Sequence, residues 1–121
     1  MTRPGAAVLG VDNVLFSVGD LDEAVAFYSG LGLPLVFKLD EPGIALFRLG
    51  AETPGLLVRR EESAGGGRVW LEVPDARALS TEERPFPVAT GWTVEVADPW
   101  GNVLGFTDYT TMPERGRRQP S

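Results

Sequence analysis

The chain runs through one pattern twice, and that repeat leaves few folds open. Val11 to Val18 alternates as a strand does, with Val14, Phe16 and Val18 on one face and Asn13, Leu15 and Ser17 on the other. Asp20 follows as a helix N-cap and Glu23 completes a capping box. Leu21, Ala24, Val25, Tyr28 and Leu31 keep helical spacing, and Gly30 and Gly32 can end the helix. Three strands are predicted next, Leu35 to Leu39, Ile44 to Leu49 and Leu56 to Arg60, parted by Asp40, Pro42 and Gly43 and by Gly50, Pro54 and Gly55. Beyond Ser63-Ala64-Gly65-Gly66-Gly67 the pattern restarts with a strand from Arg68 to Val73. Asp75 opens a shorter, weaker helix through about Glu83, which Pro85 and Pro87 stop. Strands then read from Phe86 to Thr90, Trp92 to Ala97 and Val103 to Tyr109, with Asp98-Pro99-Trp100-Gly101-Asn102 as the turn between the last two.

The two halves align residue by residue: Asn13 with Arg68, Val14 with Val69, Phe16 with Leu71, Val18 with Val73, Asp20 with Asp75. One such unit leaves a sheet face uncovered, so two units should pack around a shared cavity. The expected fold is α+β: two tandem βαβββ modules forming a curled mixed sheet around a cleft. The expected divisions are a flexible N-terminus over residues 1–8, a first module over 9–62 and a Gly-rich linker over 63–67. A second module over 68–110 and a flexible C-terminal tail over 111–121 complete the chain.

Composition narrows the chemistry such a cleft can hold. There is no histidine and no cysteine, and these side chains supply nearly all the nitrogen and sulfur that hold zinc, copper, nickel and non-heme iron. Carboxylates, amides, hydroxyls and carbonyls remain, and they suit hard cations such as magnesium or calcium. No cofactor is expected. The net charge of −6, with +2 in the tail after Thr111, leaves −8 on the rest of the chain. An acidic body disfavours nucleic acid and favours cationic partners, though simple solubility is the commoner reason for such a charge. No apolar run approaches the roughly 18 residues that span a bilayer, so no membrane partner is expected. The opening Met1-Thr2-Arg3-Pro4-Gly5 leads through a short apolar stretch into a strand pattern. No signal peptide is therefore expected, and the cytoplasm is the expected compartment.

Val14-Leu15-Phe16-Ser17-Val18-Gly19-Asp20-Leu21, then Ala24, Phe27-Tyr28 and Leu31-Gly32-Leu33, resembles the first half of the vicinal oxygen chelate superfamily. Asp98-Pro99-Trp100-Gly101-Asn102 resembles its late strand-turn motif. The superfamily includes glyoxalase I, extradiol dioxygenases, fosfomycin-resistance enzymes and bleomycin-resistance proteins, and the resemblance covers roughly residues 9 to 109. It names a fold more firmly than a reaction. In metal-using members a histidine opens the first strand of a module; here those positions hold Asn13 and Arg68. A glutamate normally follows the late turn, and Gly105 stands there instead, while the strand Leu56 to Arg60 offers no carboxylate for the fourth ligand. The guanidinium of Arg68 stays protonated and repels a cation. That pattern resembles the metal-free bleomycin-resistance type, and the resemblance implies a homodimer with pockets at or near the subunit interface.

The candidate ligand-binding residues are Asn13, Leu15, Phe37, Phe47, Arg68, Trp70, Glu72, Trp92, Glu95 and Trp100. Strand parity puts Trp70 on the polar face beside Arg68 and Glu72, where it either stacks on a flat ligand or fills the cavity itself. Trp92 and Trp100 flank the last strand pair as pocket mouth, structural plug or dimer contact. Phe37 and Phe47 fit cavity or core equally. Glu72 and Glu95 can meet a cationic ligand, Glu72 can pair with Arg68, and a solvated face is the commonest fate of a strand carboxylate. Asn13 can bond a ligand or its own backbone neighbours. Three functions stay open. The first is a protein that sequesters a small aromatic or cationic natural product and so confers resistance. The second is an isomerase, lyase or hydrolase of the same fold, metal-free or using a hard cation, with Glu72 or Glu95 as base. The third is an interaction module whose tryptophans fill its own cavity.

Overall fold

In the computed structural model, which describes residues 12–79 and 81–117, the repeat becomes two four-stranded sheets of identical order. The first module comprises β1 (Asn13–Val18), α1 (Leu21–Gly30), β2 (Leu35–Leu39), β3 (Ile44–Leu49) and β4 (Glu52–Arg60), with β1 at one edge in the order β1-β4-β3-β2. The second comprises β5 (Arg68–Glu72), a 3₁₀ turn (Ala76–Ala78), β6 (Phe86–Val88), β7 (Gly91–Ala97) and β8 (Val103–Thr107), in the order β5-β8-β7-β6. In both, the first strand pairs parallel with the fourth and the other pairs are antiparallel. The architecture is α+β with tandem modules, and the two sheets remain separate rather than closing on each other.

The ends of α1 follow from its sequence. The Asp20 carboxylate accepts from the Glu23 backbone N–H at 2.8 Å, satisfying one of the free donors of the first turn. At the other end Gly32 takes a positive φ of 93°. Leu33 N–H then bonds back to Tyr28 O and Gly32 N–H to Ser29 O, which closes the last carbonyls in a Schellman arrangement. Leu21, Ala24 and Tyr28 form the buried face of the helix and join Phe16, Val18, Phe47, Leu56 and Val58 in the core.

The second module departs from the helix expected from Asp75 to about Glu83. Only Ala76–Ala78 winds, as a single 3₁₀ turn, and Leu79 is already extended. The Thr81 hydroxyl accepts from Glu83 N–H, a local turn that competes with helical bonding just before Pro85. Buried Asp108 anchors the turn instead. Its carboxylate accepts from the N–H groups of Ala76 and Trp92 and from the N–H and hydroxyl of Thr110. Burial works against ionisation there, but these four bonds outweigh it and hold Asp108 below the usual carboxylate range.

The modules are knitted at one end by the late turn. Asp98, nearly buried, accepts from the Tyr28 hydroxyl of the first module at 2.8 Å, from Trp100 and Asn102 N–H, and from Asn102 Nδ2. Asn102 also donates to Ser17 O at 2.7 Å and accepts from Gly67 N–H. The glycine stretch permits this close approach: a Cβ at Gly65 would stand 2.0 Å from Trp100 O, and one at Gly67 would stand 2.5 Å from the Phe16 ring. β1 runs to this knot from a cavity of about 500 Å³ and β5 runs from the knot back to it, with Val14, Leu33 and Leu49 contributed by one module and Val69, Leu71 and Phe106 by the other.

Candidate functional site

Sheet register puts one row of the second module on a common exposed face. Trp70 pairs with Gly105 across β5 and β8, and Gly105 pairs with Glu95 across β8 and β7. Because Gly105 has no side chain, the Trp70 indole lies over it; a Cβ there would stand 2.2 Å from Trp70 Cδ1. The indole N–H donates to Glu95 Oε2 at 3.1 Å. Arg68, one pleat away, reaches the same carboxylate at 3.4 Å and sits 5.7 Å from the centre of the Trp70 ring. The carboxylate thus orients both the indole and the guanidinium, while 49% of Trp70 stays exposed. On the same face the Thr93 and Thr107 hydroxyls bond each other at 2.7 Å, and Phe86, paired with Thr93, is exposed.

Glu72 follows Trp70 on β5, lines the 500 Å³ cavity, and is held by Arg117 rather than by Arg68. Asn13, Leu15 and Phe37 belong to the first module. Leu15 and Phe37 lie in one row of sheet partners, Leu15–Leu57–Leu46–Phe37, and both are exposed. The Asn13 side chain accepts from Gly55 N–H at 3.3 Å, which occupies it at the strand start. Three candidates lie elsewhere. Phe47 is wholly buried and packs 5.7 Å from the Tyr28 ring centre, so it is core. Trp92 is half-buried beneath Arg77, whose guanidinium lies 4.8 Å from its ring centre. Trp100 packs over Gly19 in the inter-module knot. Arg68, Trp70 and Glu95 are therefore the trio brought into contact. The sequence marks Gly105 as the place where the resemblance expects a glutamate; its part as the floor beneath Trp70 follows from the β5–β8 register.

These residues do not fit the divalent ion that the sequence resemblance associates with such a cleft. Arg68 is a fixed cation, Asn13 is engaged with the backbone, and the indole covers the position above Gly105. Among the described residues no three Asp or Glu side chains converge to hold an ion.

No protein-family model matches the chain, and no curated protein matches it. Solved structures do. A glyoxalase/bleomycin resistance protein from Catenulispora acidiphila is 27% identical, with a TM-score of 0.67 over 82% of this chain and 98% of that one. The bleomycin-binding protein of bleomycin-producing Streptomyces verticillus, solved with copper(II)-bleomycin, is 23% identical, with a TM-score of 0.66 over 86% and 98%. Lactoylglutathione lyase from Agrobacterium tumefaciens is 21% identical, with the same TM-score over 88% and 98%.

Proposed function

We propose that this chain, which has the fold of the glyoxalase/bleomycin-resistance/dioxygenase superfamily, is a binding protein that sequesters a planar aromatic natural product and so confers resistance to it. The observation that carries this reading is the Trp70 indole lying over Gly105, half-exposed and oriented by Glu95. A large rigid ring held by a hydrogen bond and half-exposed can serve as a stacking platform. The bleomycin-binding neighbour supports a small-molecule ligand. The 500 Å³ cavity beside Trp70 is within the range of drug-sized sites, and its presence weighs against a module filled by its own tryptophans.

Leu15, Phe37 and Leu39 on the first sheet and Trp70, Phe86 and Val88 on the second are large exposed apolar groups. A second copy of the chain covering them would complete the pocket as a homodimer. The expected setting is the cytoplasm; among the described residues no helix is long and apolar enough to cross a membrane. An enzymatic reading needs a free base. Glu95 is engaged by Trp70 and Arg68, and Glu72 by Arg117.

Titration of bleomycin-like, mitomycin-like and enediyne-like compounds against tryptophan fluorescence tests the proposal. A saturable change with at least one class is expected. No saturable response with any of them, or turnover of the compound that depends on Glu95, would overturn it.

A further inference from the structure

The cavity between the modules has a wall almost free of charge. Val14, Leu33, Leu49, Val69, Leu71 and Phe106 give it an apolar lining, and Glu72 and Arg117 are the charged residues on it. Glu72 belongs to the body of the protein: it ends β5 and its side chain is 11% exposed. Arg117 does not. It arrives on the segment that follows β8, and its side chain is 65% exposed. That segment is directed onto the acid. Thr111 N–H bonds Thr90 O, the 3₁₀ turn Pro113–Arg115 follows, and Gly116 lies so close that a Cβ would stand 2.8 Å from Glu72 Oε2. Arg117 then fills both oxygens of the carboxylate, donating from its backbone N–H to Oε2 and from Nη1 to Oε1, each at 2.7 Å. The same pair also lines a smaller cavity of about 170 Å³.

We propose that the inter-module cavity takes an amphipathic organic cation, an aryl amidine, guanidine or amine, and that Arg117 is its internal stand-in on Glu72. An apolar chamber closed by one sequestered carboxylate recognises a ligand with an apolar body and a cationic end. The exposed guanidinium keeps much of its hydration, so it is the exchangeable member of the pair. Binding swaps Arg117 for the head group of the ligand, and the apparent affinity is lowered by the fraction of protein in which Arg117 holds the acid. This rests on the reading that this region binds a small molecule, and it adds a ligand class and a built-in competitor.

The test uses the full chain with two probes that share one flat body, 4′,6-diamidino-2-phenylindole and uncharged 2-phenylindole, measured by probe fluorescence. Arg117→Ala is expected to tighten the diamidine at least fivefold, and Glu72→Gln to weaken it at least tenfold. Neither should alter 2-phenylindole by more than about twofold. Circular dichroism checks that both variants are folded. An Arg117→Ala protein that binds the diamidine no better than wild type, or an indifferent Glu72→Gln, overturns the inference. So does a diamidine that fails to saturate either protein. Failure of the binding reading looks different: 2-phenylindole then fails to bind wild type at all.

Discussion

Replacing Asp98 by alanine is expected to lower the unfolding free energy by about 3–5 kcal/mol and the melting temperature by roughly 10–20 °C. Four donors converge on this carboxylate: the Tyr28 hydroxyl, the N–H groups of Trp100 and Asn102, and the Asn102 amide. Tyr28 is wholly buried, and its hydroxyl would lose its acceptor in a place water does not reach. Burial and the Asp98 carboxylate both push the Tyr28 hydroxyl well above its ordinary pKa, so it remains a donor throughout the accessible pH range. The loss also reaches beyond the turn. Asn102 is the residue that holds Ser17 O and Gly67 N–H, so loosening it parts the two modules. Asp98→Asn should cost about half as much, because an amide keeps one acceptor oxygen but turns a donor toward one pair of donors. Urea unfolding monitored by circular dichroism measures both. A loss below about 1 kcal/mol for Asp98→Ala would contradict the role given to this knot.

Gly105→Ala is expected to weaken binding of a bleomycin-type or other planar ligand at least tenfold, about 1.4 kcal/mol, with a far smaller effect on stability. One added carbon would stand 2.2 Å from Trp70 Cδ1 and 2.7 Å from its Nε1, so the indole must swing away and leave Glu95. The ring is half-exposed, so it has room to move and the fold tolerates the change, but the platform is lost. Trp70→Ala should produce a loss of similar size. Calorimetric titration of the two variants beside wild type checks this; equal affinities would show that the indole is not the contact.

Much of this was legible in the chain because it is local. The capping box at Asp20, the glycine at the end of α1 and the alternation of β1 each act over a few residues, and the match of Asn13 to Arg68 and Asp20 to Asp75 exposed the repeat. Strand parity also placed Arg68 and Trp70 on one face of their strand. Three features lay outside such reading. The second helix gave way to a 3₁₀ turn because Asp108, far along the chain, captures Ala76 N–H. The Tyr28–Asp98 and Ser17–Asn102 bonds join residues 70 and 85 positions apart. The packing of Phe47 on Tyr28, of Trp92 beneath Arg77 and of Trp100 over Gly19 depends on which face of each strand or turn the other layers cover.

Gly105 is the point on which the proposed function turns. The glycine makes the space in which an indole lies. The most direct measurement is the ¹H–¹⁵N correlation spectrum of the indole N–H groups, of which the chain has three, during titration with a bleomycin-type compound. Trp70→Phe identifies the Trp70 signal. The expected result is a saturable shift of that signal as its bond to Glu95 and its exposed surface change, with Trp92 and Trp100 moving little. A Trp70 signal that stays still while the compound binds, or moves no more than the other two, would contradict the proposed site.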